Sequence, residues 1–308
     1  MKKIIIIPIK FKKEKRVRNH NRQMLFFEML RDELGFDLRY TQNVEFDKDT
    51  EILISYGWEF VSANALTTLA NLSLDIILIH YSYDFHWVKI PGFKSLFDRA
   101  DLILEGTIKM FKEAWPQYIF KRMFFPNYLA PISHYAKYDF NSKPIMKCLL
   151  SGQPRSWYPM AVKLGEKIKK NTEWQNFIDI LGHPRFPNYF HTIVPQSYEN
   201  YGALLHKYFC CIAAMYKEPF VTAKCLEIPA VGSLLLTERN EDLDKMGFIP
   251  WKHYIPITWE TIRKRIEHCL ENPNEYQEIR KEGMRFVREN HSVNNRFQLF
   301  TEKLRELI

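Results

Sequence analysis

Residues 220–238 read FVTAKCLEIPAVGSLLLTE. The stretch divides at Gly232. Before it, Thr222–Ala230 reads as a helix with Thr222 as its N-cap; after it, Ser233–Leu236 is an apolar strand. Lys224 and Glu227 fall three apart, on one helical face of the first two turns. A helix N-terminus presents free N–H groups and partial positive charge, which suits phosphate, and Lys224 adds a full charge there. Glu227, one turn deeper, is a carboxylate able to accept both hydroxyl protons of a ribose. On spacing alone the same two residues also read as a surface ion pair, which would contribute little.

The surroundings repeat the helix–strand alternation. Upstream come strands at Met146–Leu150, Phe177–Leu181 and Phe209–Ala213, with helices at Pro159–Lys169 and Ser197–Lys207 between them. Downstream, Glu260–Leu270, Asn274–Asn290 and Arg296–Leu307 read as amphipathic helices; the last places Phe297, Phe300, Leu304 and Leu307 on one stripe. The first half has the same grammar. KIIIIPI (residues 3–9) is a β-branched run fit for a strand buried on both faces of a parallel sheet. Asn21–Leu34 has helical spacing and stops at Gly35. Strands follow at Asp37–Tyr40, Glu51–Ser55, Leu74–His80 and Asp101–Glu105, with a helix at Phe93–Ala100. Strands alternating with helices specify α/β architecture with parallel sheets. The pattern restarts after a polar stretch at Tyr135–Ser142, which predicts two Rossmann-like doubly wound domains: residues 1–143, then 144–290, with 291–308 as a terminal helix.

Composition supports globular domains and narrows the class. Of 308 residues, 46% are hydrophobic and 26% charged, far from disordered or fibrous chains. No stretch of about 18 apolar residues predicts a membrane-spanning helix, and the opening run is short for a secretion signal. The five cysteines (148, 210, 211, 225 and 269) form no CxxC pair and no framework, as expected for reduced, buried thiols in a cytoplasmic protein. The net charge of +8 is localised: residues 1–22 hold nine Lys or Arg and one acid, and the rest of the chain balances. In open α/β sheets ligands sit at the carboxyl ends of the strands, and the basic run at 10–22 directly follows the first strand. It reads either as a segment overhanging a cleft between the domains or as a solvated loop. HExxH, GxSxG, GxxxxGK[ST] and GxGxxG are absent, so the signatures of metalloproteases, serine hydrolases, P-loop enzymes and simple dinucleotide enzymes are missing.

Strand, loop, Lys-x-x-Glu, small residue, Gly and apolar strand resemble the nucleotide-sugar site of GT-B fold glycosyltransferases. Many of these read Pro-Ser-Lys-apolar-x-Glu-x-x-Ala-x-Gly here, and Lys224, Glu227, Ala230 and Gly232 match in register. Ser197–Ala214 is similar to the family's preceding helix and strand. Glu271–Ser292 is similar to its Asn-Pro-x-x-x-x-x-Ile-x-x-x-Gly-x-x-x-Val tail, and Leu149–Met160, with its Tyr158-Pro159, to the first donor-domain strand and loop of the spore-maturation-protein-like branch. The resemblance covers residues 144–308 by motif and 1–143 by architecture. It implies two domains facing a cleft, a C-terminal helix crossing back to the first, Glu227 on the donor ribose and Lys224 on the diphosphate. It further implies Gly152 and Arg155 near the phosphates or sugar, and His183, in Gly182-His183-Pro184, where the base packs. Taken alone, Gly152 also reads as a plain turn glycine and His183 as a structural histidine.

The departures are specific. Retaining members often carry a second glutamate, separated from the ribose-binding one by seven residues; Pro219 stands at that place, with Glu218 one position off. Pro229 should kink or shorten its helix. The usual glycine-rich turn after the first strand is replaced by the basic run. An inverting transfer needs a base for the acceptor hydroxyl. His80–Trp87 (HYSYDFHW) offers Asp84 first and His86 second as catalytic residues, with His80 in the same segment and His20 in the basic run as a third choice. Each also reads as part of a polar aromatic loop. Asp47-Lys48-Asp49 and Asp242-Leu243-Asp244 lack the strand-end setting of a metal-binding DxD, so no metal and no cofactor beyond the nucleotide sugar is expected. Trp58, Trp87, Trp115 and Trp157 could stack on sugars, though most aromatics in such a chain belong to the core. The expected partners are a nucleotide-sugar donor, with a uracil base the commonest, and a glycan or other hydroxyl acceptor. Nucleic acid is not expected, and peripheral contact with an anionic membrane is one use for the basic run. The alternative is a non-catalytic GT-B-like protein holding nucleic acid or an anionic polymer through residues 10–22; a nucleotide-sugar epimerase on the same scaffold lacks the sugar-side glutamate.

Overall fold

Ile4–Ile7 lie wholly buried inside the first sheet, which explains an uninterrupted apolar run with no polar face. The computed structural model describes residues 2–8, 21–41, 46–56, 63–82, 92–126, 135, 137–152, 156–182, 198–217 and 220–308. Its chain divides into two units, residues 1–127 with 293–308, and residues 128–292.

In the first unit, β1 (Lys2–Pro8), β2 (Asp37–Thr41), β3 (Thr50–Tyr56), β4 (Ile77–Ser82), β5 (Leu102–Glu105) and β6 (Arg122–Phe124) form one parallel sheet in the order β2-β1-β3-β4-β5-β6. The helix Asn21–Leu34 ends at Gly35, whose φ of 71° lets its N–H reach back to Arg31 O at 3.0 Å. The strand expected from Leu74 begins instead at Ile77, and Leu74 is 88% exposed. Arg99, buried, donates to the carbonyls of Leu72, Ser73 and Ile76 and so holds residues 72–76 as a turn that β-pairing would have to break. The terminal helix Val293–Leu307 groups with this unit. Phe300 meets Phe26 edge-on at 5.5 Å and Phe125 at 6.4 Å, and Leu304 is buried on the same stripe.

In the second unit, β7 (Ile145–Gly152), β8 (Ile178–Gly182), β9 (Tyr208–Ala213), β10 (Leu234–Thr237) and β11 (Ile255–Pro256) form a parallel sheet in the order β11-β10-β9-β7-β8. The strand order reverses between β7 and β9, and in such sheets that crevice at the carboxyl ends is where ligands bind. Cys148, Phe209, Cys210, Ile212, Leu234 and Leu236 centre the core. All five cysteines are buried and unbridged; burial pushes the Cys210 and Cys211 thiols well above their ordinary range.

The division falls at 127/128, ahead of the expected 143/144, because the stretch around residues 135–141 is bound into the second unit. Asn141 Nδ2 donates to His206 O at 2.9 Å, Arg280 Nη2 to Asn141 O at 2.9 Å, and Arg288 Nη2 to Tyr135 O and Tyr138 O at 2.8 and 2.7 Å. Short elements escaped the periodicity reading, among them the helices Ala63–Ala70, Ile108–Ala114, Thr172–Phe177 and Glu241–Lys245. None of the described helices is long and apolar enough to cross a membrane.

Candidate functional site

The site builds on the last residues of β7. Gly152 has a φ of 121°, a conformation side chains rarely adopt. The φ is what requires glycine; a Cβ there would also meet Lys224 Nζ and stand 3.3 Å from Lys224 Cε, so that side chain would have to shift. Lys224 opens the helix Lys224–Ala230 and donates to Ser151 O at the end of β7. The Ser151 hydroxyl in turn meets the Tyr201 hydroxyl at 2.7 Å, which ties β7 to the helix Tyr198–Lys207. Burial pushes the Lys224 ammonium down to about 8. It is therefore a cation at neutral pH, anchored on Ser151 at the switch point of the sheet.

Glu227 is 3% exposed, and its Oε1 accepts from Tyr135 Oη at 2.9 Å. Lys224 and Glu227 are thus not a surface pair: the lysine turns to Ser151 and the carboxylate to Tyr135. The helix carrying them is seven residues long, with Pro229 as its sixth residue. Gly232, at φ 79°, closes it, with its N–H on Pro229 O at 2.8 Å. Thr222 does not cap the helix. Ala223 holds the N-cap position without a side-chain bond, and Thr222 Oγ1 faces Cys225 Sγ at 3.8 Å.

The structure brings together three of the residues picked out in the sequence: Gly152 and Lys224 in direct contact, and Glu227 one helical turn on. Arg155, His183, Asp84, His86, His20 and Glu218–Pro219 lie outside the described residues, as do residues 10–20 of the basic run and Trp58 and Trp87. His80 is not a loop residue but the fourth residue of β4. It is buried between Phe93 and Phe97 with Nδ1 2.9 Å from Ser55 Oγ, and burial pushes it down to about 3, so it is a neutral core histidine and not a base. Asp47 is held below the usual carboxylate range, at about 2, by Arg39 and Lys2; Asp49 also pairs with Lys2, and Asp244 with Arg239. Among the described residues no group of three His, Cys, Asp or Glu side chains is arranged to hold a metal. Trp157 is 40% exposed and lies 5.8 Å from the Tyr216 ring; Trp115 packs on Phe97 at 5.3 Å.

Tyr135, Ser151 and Tyr201 were not singled out in the sequence. Tyr135 stands 92 residues before Glu227 in what reads as a linker, and no periodic pattern connects them.

Residues 165–302, which include Lys224 and Glu227, match the family described as glycosyl transferase-like. No curated protein matches the sequence. Among solved structures, Anabaena HepE in complex with UDP is similar at a TM-score of 0.62 and 11% identity, covering 99% of this chain and 100% of that one. Sucrose-phosphate synthase from Thermosynechococcus elongatus is similar at 0.61 and 12%, covering 93% and 79%. The N-terminal domain of Candida albicans trehalose-6-phosphate phosphatase is similar at 0.59 and 13%, covering 83% and 70%. Residues 165–302 are thus similar to the glycosyl transferase-like family, and the chain as a whole has the GT-B fold.

Proposed function

We propose that the protein is a glycosyltransferase that moves a sugar from a nucleoside-diphosphate sugar to a hydroxyl acceptor, a glycan or glycoconjugate, without a metal. The observation that carries this reading is the pair of anchored charges at the switch point of the second sheet. Lys224, fixed on Ser151 O over Gly152, meets the diphosphate, and Glu227, fixed on Tyr135, accepts the ribose hydroxyls. In the reaction the bond from the anomeric carbon to the diphosphate oxygen breaks, and a bond from that carbon to the acceptor oxygen forms. Negative charge develops on the leaving diphosphate, where a preplaced ammonium stabilises it. The acceptor proton goes to a base, for which Asp84 is the first choice and His86 the second. The UDP-glucose complex of Anabaena HepE supports a uridine donor. Five unbridged, buried thiols support a cytoplasmic setting.

The test is release of free nucleoside diphosphate from UDP-, GDP-, ADP- and dTDP-sugars with and without EDTA. Release from a UDP-sugar that EDTA does not change is the expected result; abolition by EDTA would overturn the metal-free mechanism. One feature favours a second reading: the whole net charge sits in residues 1–22. A non-catalytic polymer-binding protein would release no nucleotide and would bind polyanions with a steep salt dependence.

A further inference from the structure

The carboxylate of Glu227 is positioned by a residue from outside the motif that contains it. Tyr135 is wholly buried, and three separate contacts fix it. Its hydroxyl donates to Glu227 Oε1 at 2.9 Å. Its carbonyl accepts from Arg288 Nη2 at 2.8 Å, and the same guanidinium donates through Nε to Ala230 O at 2.9 Å, at the end of the Glu227 helix. Its ring lies against Gly202, where a Cβ would come within 2.7 Å of Cε1. Arg288 therefore joins the Tyr135 segment to the Glu227 helix, and Gly202 leaves room for the ring between them.

We infer that Tyr135 is a positioning residue for donor binding, resting on the assignment of Glu227 to the ribose. By donating to Oε1 it fixes the plane of the carboxylate that meets the 2′- and 3′-hydroxyls. A hydrogen bond to an ionised carboxylate is among the stronger kinds. Holding it in the free protein spares the ordering that ribose would otherwise impose on the side chain.

The test compares wild type and Tyr135→Phe, which keeps the ring, by calorimetric titration with UDP, 2′-deoxy-UDP and inorganic pyrophosphate. Tyr135→Phe is expected to weaken UDP about tenfold and 2′-deoxy-UDP less than about threefold, since a tyrosine that acts through the ribose must couple to the ribose hydroxyls. Pyrophosphate, which has no ribose, is expected to bind both proteins alike, and this also reports that the variant is folded. Equal weakening of all three ligands would make Tyr135 merely structural and overturn the inference, as would unchanged UDP affinity. If wild type itself does not distinguish UDP from 2′-deoxy-UDP, the Glu227 assignment fails and this inference with it. A wild-type preference that survives intact in Tyr135→Phe would overturn the positioning role alone.

Discussion

Lys224 is pressed onto the end of β7, and the proposed contact with a diphosphate depends on its charge. Burial lowers its ammonium to about 8, so the free protein loses that charge as pH rises above this value, while a bound diphosphate favours the protonated form. UDP affinity should be flat from about pH 6.5 to 7.5 and then fall towards tenfold per pH unit above about 8. Lys224→Met should bind weakly and without that slope; titration calorimetry across the range measures both. Gly152 is the counterpart on the strand. Gly152→Ala must relieve a collision with Lys224 and an unfavourable φ, so a stability loss of about 1–3 kcal/mol is expected in denaturant titration, together with weaker UDP binding. At this scale the sequence was informative. Lys224, Glu227 and Gly232 could be placed because helix spacing and glycine stops are local rules. Tyr135 could not, because its partner is set by tertiary packing.

Among the elements, the helix Gln277–Asn290 does more than bury an amphipathic face. Arg280, 1% exposed, donates through Nε to Gly232 O at 3.0 Å and through Nη2 to Asn141 O, and it lies over the rings of Phe140 and Phe209 at 4.7 and 4.9 Å. It thus closes the turn that follows the Glu227 helix. Arg280→Met would leave buried carbonyls without their donor, and a loss of about 2–4 kcal/mol is expected in urea unfolding, against less than about 0.5 kcal/mol for the exposed Lys281→Met. The amphipathic pattern announced this helix but not the close tertiary approach at Gly283, where a Cβ would stand 2.7 Å from His253 O. The strand expected from Leu74 illustrates the opposite case. LDIILIH has strand composition throughout, but Arg99, on a later helix, takes the carbonyls of residues 72, 73 and 76, and no local rule foresees that.

For the molecule as a whole, the chain leaves its first unit after residue 127 and returns to it at Val293. The α/β alternation and the restart of the pattern were legible in sequence, since parallel strands buried on both faces leave unbroken apolar runs such as Ile4–Ile7. The position of the division was not, because the polar stretch that reads as a linker is held by Arg280, Arg288 and His206. Phe300→Ala should remove a buried ring from the Phe26–Phe125 cluster and cost about 3–5 kcal/mol. Hydrogen exchange should accelerate in β1, β3 and β4 and leave β7, β9 and β10 protected, which would show that the terminal helix stabilises the first unit. The central claim, that the carboxyl edge of the second sheet holds a nucleoside diphosphate through Lys224 and Glu227, is tested most directly by UDP titration of wild type against Glu227→Ala. Wild type should bind, and the variant should lose affinity by about 10- to 100-fold with an unchanged circular dichroism spectrum. Equal UDP affinity in the two proteins, or none in wild type, would contradict it.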